Sequence, residues 1–580
     1  MSIMDFKIKE RTNVVVRKAS RTQYYGPLSL AAHACNSSSP SGSQIFIKFL
    51  RKERVAFKQL HKKQQITSLN PLETQTYPND VLNEEIEQFF FPQFDAIFER
   101  LSFFDDQLNN FLYGGMFDMH EIYQTILSLF PETKTGRSFM RPKKCYIYSY
   151  VACAVAILQT VHLFSHYDTG YSFMFPVTVK DLQYLDDFAI RMLNTSRFQE
   201  KLNVFSLMAL ILIKDNIFRF GNTTTGDDSE SYSKLQTQVT MALQLGLHRD
   251  PSSIDRYVSK CGLTTNTSNN LLSTNCVRKI WWYLRSQDGI YSANLGVPLL
   301  INDDYCDMSS LFCENSECNE ICNQFTDLIR DVADTMNSLR ATSLNEYKAL
   351  MTNLLDVCYR IGTFQELFVS KPGIDMKFVA KRVLMKLQIL RVILMYGCFL
   401  KSTLGKLNLF PLKSLTAENV YLLKRHAKFY DFFCLKACYI IMCMLRNICD
   451  PQGSFKDHHS SYLLFFKSEI SYLLFSIIFT LAVHGLKGYD LSSHIVSLST
   501  SARCSNEQPI GLNNIDGTSL ELSLLQDPST VNQDSYYADV AQFSSAKQIS
   551  SSFVELYRYL TNIPGLSDNY GLFSACKLMQ

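Results

Sequence analysis

The side chains that could do chemistry fall in a few short stretches of this 580-residue chain. His248-Arg249-Asp250 has the order of the kinase catalytic triplet. Asp303, Asp304 and Asp307 could gather around a hard divalent cation. Cys306, Cys313, Cys318 and Cys322, spaced x6, x4 and x3, could bind a metal from a loop. Cys434, Cys438, Cys443 and Cys449, spaced x3, x4 and x5, lie along one apolar run, and Asp457-His458-His459 sets two imidazoles beside a carboxylate.

Each stretch lacks the partners its chemistry needs. A kinase reading requires a Gly-rich loop, a paired lysine and D-F-G, none of which the sequence contains. The three aspartates lack the central glycine and closing glutamate of a calcium loop. The cysteines of the apolar run read as small buried hydrophobes, and the adjacent histidines as a solvated polar loop. No P-loop, G-x-G-x-x-G, H-E-x-x-H or G-x-S-x-G is present. The expectation is a protein that is not an enzyme, with no catalytic residue, no cofactor and no metal site.

What must position these residues is helix. Apolar residues recur at helical spacing through runs near 82–113, 118–130, 144–165, 176–194, 200–218, 232–248, 276–295, 321–338, 344–370, 376–402, 416–449, 460–486 and 534–562, and two-residue alternation is rare. The fold class read from this pattern is all-α, a large body of stacked helical hairpins. Residues 1–70 read as a basic N-terminal linker with an amphipathic helix over 46–63, and 80–488 as the helical body. Residues 489–534 read as a polar, disordered segment and 535–580 as a C-terminal helical segment. Within 505–545, acids mix with Leu, Tyr and Phe, a pattern shared by activation segments and plain surface linkers.

Charge is uneven. Residues 1–70 carry 13 Lys and Arg against 3 acids, and the remainder 44 against 51. A basic head suits a nuclear address or contact with a polyanion. The 17 cysteines are an odd number scattered through apolar runs, which points to a reducing compartment, the nucleus or the cytoplasm. Ile470–Leu486 holds 17 residues with His484 as the sole ionisable group, the short limit of a membrane span. We read it as a buried core helix, with a membrane-associated helical protein as the rival.

Two stretches have a fixed grammar. In the first, Leu235, Val239, Ala242 and Leu243 form one helical stripe. Gly246 is read as permitting close backbone approach, and Leu247-His248-Arg249-Asp250-Pro251-Ser252 as a stop. Pro251 bars helical angles at Asp250, and Asp250 or Ser252 caps the next helix. His248 and Arg249 are read as exposed. In the second, Trp281, Leu284, Asp288, Tyr291 and Leu295 share a face, and Trp281 and Trp282 are the only tryptophans in the chain. A buried Asp288 needs an arginine or a helix N-terminus. Gly296 ends the helix, Pro298 opens an extended segment, and Asn302-Asp303-Asp304 supplies turn chemistry.

In order and spacing these stretches resemble the middle homology region of fungal zinc-cluster (Zn2Cys6) transcription factors. That family shows a helix ending L-G-L-H-x-D-P-S, then R-R-x-W-W-x-L-x-x-x-D, then L-G-x-P-x-x-I-x-D-x-D. Leu245, Gly246, Leu247, His248, Asp250, Pro251, Trp281, Trp282, Leu284, Asp288, Leu295, Gly296, Pro298, Ile301, Asp303 and Asp307 match. Tyr25-Gly26-Pro27 followed by Ser29 resembles the family's Y-G-P-x-S element. The basic helix after it is similar to that of the pleiotropic drug-response regulators of budding yeasts. The resemblance spans roughly residues 15–450, with its sharp motifs at about 240–310. Departures are Val297 and Gly289, where arginine is frequent, and Ser309-Ser310 in place of Leu-Pro; they bear on ion pairing at that turn, not on the fold.

The resemblance implies a regulatory domain controlling RNA polymerase II genes, in drug or stress response, located in the nucleus. It implies homo- or heterodimers with other zinc-cluster factors and a small apolar ligand among the Phe- and Met-rich helices. Zinc would belong only to a six-cysteine cluster upstream, because no C-x2-C occurs in these residues. Two accounts of that stand open: the chain starts partway into a longer factor, or it is a cluster-less paralogue that acts as a co-regulator and meets DNA through partners.

Overall fold

The computed structural model describes residues 7–8, 14–17, 22–25, 28–29, 52–53, 55, 79–250 (except 135, 176–181 and 217–228), 274–308, 316–368, 375–409, 416–495, 510–524, 546–564, 566 and 570–579. The architecture is all-α. Helix α1 (Asn79–Phe90) leads into α2 (Phe94–Phe103), which continues through a π-helical stretch at Phe104–Asn109 to Tyr113. Then come α3 (Met119–Leu129), α4 (Ile147–Tyr167), α5 (Leu182–Thr195), α6 (Val204–Asp215), α7 (Ser229–Gln244), α8 (Thr274–Leu295), α9 (Ser316–Asn337) and α10 (Leu344–Ile361). The second half holds α11 (Met376–Leu409), α12 (Ala417–Cys449), α13 (His459–Ile495), α14 (Gly517–Leu524), α15 (Ala546–Leu560) and α16 (Tyr570–Met579).

Two apolar hubs organise the packing. Every residue of α4 from Val151 to Val161 is buried, and α2, α3, α5 and α6 pack around it. Helices α11, α12 and α13 pack on one another and form the second hub, with Phe433 to Leu445 of α12 buried without interruption. Helices of this kind are apolar on all sides because they have neighbours on all sides. Between the hubs, consecutive helices pack in a chain, α6 on α7, α7 on α8, α8 on α9, α9 on α10 and α10 on α11, which is the stacked-hairpin arrangement. Helix α9 shows the rule that places them: Phe325, Leu328, Ile329, Val332, Ala333 and Met336 are buried at one-stripe spacing.

Among the described residues, four helices are long and apolar enough to cross a membrane: Ile147–Tyr167, Met376–Gly405, Ala417–Cys449 and His459–Leu481. Between 78% and 83% of their most apolar windows is buried inside the body, so that surface is spent on helix–helix contact.

The structure departs from the sequence reading at several points. Short strands occur: Lys7–Ile8 pairs antiparallel with Thr342–Ser343, and Val14–Arg17 with Thr22–Tyr25. The basic head is therefore joined to the body, and Glu53 meets Lys577 of α16 at 2.9 Å. The rest of the amphipathic helix over 46–63 lies outside the described residues, apart from Lys52 and Val55. The run expected over 344–370 breaks at Gly362, whose φ of 139° excludes an L side chain. It starts where Ser343 and Glu346 close a capping box.

Parts of the polar segment read over 489–534 carry helix. Helix α13 continues to Ile495, and residues 510–524 fold onto α12 with Leu512, Ile515, Leu520 and Leu524 buried. Glu521 of this strap pairs with Lys386, a fully buried lysine of α11 that also donates to the carbonyl oxygens of Cys358 (3.2 Å) and Gly362. A buried lysine needs such partners, and the carbonyls ending α10 with one carboxylate supply them. The remainder of 489–534 lies outside the described residues.

Candidate functional site

The two motif stretches meet at the turn that ends α7. Leu235, Val239 and Ala242 are buried as expected, but Leu243 is 39% exposed and Met241 takes the fourth core position. The helix closes in a Schellman motif: Leu247 N–H donates to Ala242 O at 3.0 Å and Gly246 N–H to Leu243 O at 3.0 Å. Gly246 has φ +73°, and a Cβ built on it would meet nothing within 4 Å. Its role is the left-handed backbone and not the close approach read from the sequence.

Beyond this turn two ion pairs form a clasp. Asp250 receives both Nε (2.8 Å) and Nη2 (2.9 Å) of Arg278, in the first turns of α8. It acts as an ion-pair partner across the interface; the cap expected of Asp250 or Ser252 concerns residues from Pro251 onward, which lie outside the described residues. Arg249 pairs with Asp307 at 3.2 Å, and the same carboxylate accepts the Asp250 amide. Asp307 N–H donates to His248 O at 3.3 Å. His248 is half-buried, not exposed, with its ring 6.0 Å from that of Trp281.

Helix α8 delivers the rest. Trp281 is 1% exposed, Leu284 is fully buried and Leu295 is buried, while Trp282 is half-buried. Beneath the tryptophans Tyr283 donates to Asp215 (2.8 Å) and accepts from Lys214 (3.1 Å), an ion pair sealed from solvent at the end of α6. Gly296, at φ +66°, closes the helix, and Pro298 is exposed with its carbonyl accepting from Ser292 (3.3 Å).

Asp288 is the centre of the second clasp. Fully buried, it accepts the amides of Leu300 (2.9 Å) and Ile301 (3.0 Å) and pairs with Arg330 of α9 at 2.8 Å. Arg330 also donates to Ile301 O (2.7 Å), Arg285 O (3.4 Å) and Asp303 (3.1 Å). Asp303 takes a two-bond grip from Arg285 at 2.9 Å each, and Arg285 reaches Asp327 at 2.7 Å. The loop from Val297 to Asp307 is thereby sewn to α8 and α9. Gly289 is part of the design, since a Cβ there would meet Arg330 Cγ at 2.9 Å. An arginine at that position, as the family often has, cannot coexist with Arg330 as seated here.

The two carboxylates respond in opposite senses. Burial raises the Asp288 carboxyl above its usual range, and the Leu300 amide, the Arg330 charge and the Ile301 amide offset that only in part. Burial also disfavours charge on Asp303, but the Arg285 hydrogen bonds and the Arg330 charge outweigh it and hold Asp303 below the usual range.

The remaining candidates lie apart from the clasps or pack around them. Tyr25 ends a strand, and Gly26 and Pro27 lie outside the described residues. The Cys306 thiol donates to Asn302 O (3.3 Å) and that of Cys322 to Met385 Sδ (3.8 Å). Cys434, Cys438, Cys443 and Cys449 are buried. His458 is exposed, as read, but it also meets buried Asp168 at 3.2 Å and stacks on Tyr171, and His459 meets Ile448 O at 3.1 Å. Among the described residues no three His, Cys, Asp or Glu gather as a metal would require. Sequence reasoning named Asp288 and asked for an arginine but missed Arg330, Arg285 and Arg278. Arg278 and Arg285 each lie about one helical turn from Trp281 and Trp282, one on either side, which is the signal that could have found them. Arg330 lies in a different helix, and the sequence holds no sign of it.

The arrangement holds no nucleophile beside a base. Its capacity is mechanical, a set of charges that fixes two loops in one position. A family model described as the fungal specific transcription factor domain matches residues 89–393, more than half of the chain, and contains the whole of both clasps. No curated protein and no solved structure matches the chain.

Proposed function

The chain belongs to the fungal specific transcription factor domain family, and from that premise we propose that its helical body is the regulatory domain of a zinc-cluster-type regulator of transcription, restraining activity until a signal shifts it between two packings. Membership supports a role in regulating transcription, and we read the chain as a regulator and not an enzyme. The observation that carries the mechanism is the Asp288–Arg330 pair, 0% and 3% exposed, which holds the 297–307 loop. A buried pair of this kind is a poor source of net stability and a good source of registry, because it is satisfied in one arrangement only. Opening it would strand a charge, so the loop is held in one discrete position.

In this reading the protein acts in the nucleus on RNA polymerase II genes, including genes of drug or stress response. Sequence-specific DNA contact comes from a zinc-cluster module, on the same polypeptide or on a dimer partner of the same family. A small apolar ligand between the long helices would favour one packing by differential affinity. The test is a reporter assay in yeast with the chain fused to a heterologous DNA-binding module. Arg330→Met should raise basal output several-fold at equal protein level. Unchanged output from a variant whose loop amides are shown to have lost protection would sink the restraint mechanism.

A further inference from the structure

Helices α11 and α12 come into close contact at Gly397. A Cβ there would lie 3.0 Å from the Cys434 sulfur and 3.2 Å from the Phe433 ring, so glycine permits the contact. At this crossing the Cys398 and Cys434 sulfurs stand 3.8 Å apart, and Thr480 Oγ1 of α13 is 3.7 Å from Cys398. One turn along, Lys401 pairs with Asp431. Cys398 is partly exposed and Cys434 is buried. A thiol on a partly exposed residue, a second thiol behind it and a lysine beside both are the parts of a dithiol that peroxide can oxidise.

We propose that Cys398 is a site of oxidation by hydroperoxides and that Cys434 resolves it as an intramolecular disulfide between α11 and α12. The hydrogen bond shared with Cys434 holds the Cys398 thiol below its usual range against the pull of burial, with Lys401 and Thr480 adding to it, while the Cys434 thiol is raised by the same bond and by burial. The Cys398 thiolate attacks the distal peroxide oxygen, forming S–O as O–O breaks; sulfur is oxidised to sulfenic acid and the peroxide leaves as alcohol or water. The Cys434 sulfur then attacks Cys398, forming S–S as S–O breaks, and hydroxide leaves with the Cys434 proton as water. The sulfurs close from 3.8 Å to about 2.05 Å. The bond fixes the register of the two helices. This inference does not depend on the family reading.

The experiment treats the full chain with hydrogen peroxide, blocks remaining thiols with iodoacetamide and maps peptides by mass spectrometry. Cys145, Cys306 and Cys322, also partly exposed, are internal controls; Cys145 is the sharpest, having Lys201 Nζ at 3.4 Å. The expected result is paired loss of alkylation at Cys398 and Cys434 with a linked peptide, at least tenfold faster than loss at the controls. Cys398→Ser should abolish the linkage, and Cys434→Ala should leave a sulfenic acid at Cys398 that dimedone traps. If Cys434→Ala does not fold, the wild-type linkage map and Cys398→Ser decide alone. Loss at Cys398 no faster than at Cys145, or a linkage to Cys438 instead of Cys434, overturns the proposal.

Discussion

Replacing Arg330 with methionine tests the central clasp most directly. The side chain is close in length and apolar, so packing volume is roughly kept while four sets of hydrogen bonds vanish. Those are the bonds to Asp288, Asp303, Ile301 O and Arg285 O. Asp288 stays fully buried with the amides of Leu300 and Ile301 as its remaining partners. Removing one partner of a buried pair costs about 3–5 kcal/mol. Part of that cost is relieved by proton uptake, so losing Arg330 drives the Asp288 carboxyl further above its usual range. The loss should therefore depend on pH. With its folded pKa raised further, Asp288 is neutral at low pH and costs little; the penalty grows as pH rises from the unfolded value toward the folded one and is full above it. The assay is amide hydrogen exchange at Leu300 and Ile301 between pH 5 and 8, corrected for the intrinsic pH dependence of exchange. Protection should fall by two to three orders of magnitude at the upper end, the range expected from about 3–5 kcal/mol, and by much less at the lower. Protection equal to wild type at both ends would refute the claim that Arg330 holds the loop.

Other expectations rest on single contacts. Gly289→Ala should destabilise by about 1–3 kcal/mol, the usual cost of overpacking, because its Cβ meets Arg330 Cγ at 2.9 Å; a thermal midpoint unchanged from wild type would disprove that. Gly246→Ala has free space but the wrong φ, so it should cost about 1–2 kcal/mol while Gly246→Asn costs less, both read by thermal unfolding. Glu521→Gln should loosen the 510–524 strap, seen as faster exchange at Phe364, whose amide donates to Glu521 at 2.9 Å; unaltered exchange there would mean the strap is held by its leucines alone. Asp303, held below its usual range, contributes stability that is present above the unfolded value of about 3.9 and is lost as pH falls through the folded value. The gap in melting midpoint between wild type and Asp303→Asn should accordingly be constant above about pH 5 and shrink below it.

The fold was readable because it is written in local pattern. The stripe Phe325, Leu328, Ile329, Val332, Ala333 and Met336 and the unbroken apolar run of α12 both say helix without knowledge of any neighbour. The strap was not readable, because Glu521 and Asp516 look like solvated acids until Lys386, in a different helix, is known to lie beneath the first. The hairpin at Val14–Tyr25 was hidden by its four-residue strands, too short to establish alternation. In the motif stretches Asp288 finds the buried arginine its chemistry asked for and Gly296 closes its helix, whereas Gly246 serves its own backbone angle and not a close approach. Spacing identifies which residues matter within one element; it does not identify the cation that a second element brings.

That division bears on how the domain can be moved. Both clasps share the loop from Val297 to Asp307, the first through Asp307 and the second through Leu300, Ile301 and Asp303. Disturbing either one shifts the anchor of the other, so α7, α8 and α9 are coupled through charge as well as through packing. Helix α9 then packs on α10 and α11, and α11 carries both Lys386 and the Cys398 crossing. A change at the motif turn and a change at the dithiol thus act on the two ends of one helical stack. The consequence is measurable: if the stack moves as a unit, Arg330→Met should alter the rate of disulfide formation between Cys398 and Cys434. If the rate stays at the wild-type value while the Leu300 and Ile301 amides lose protection, the two devices are independent and the coupling argument fails.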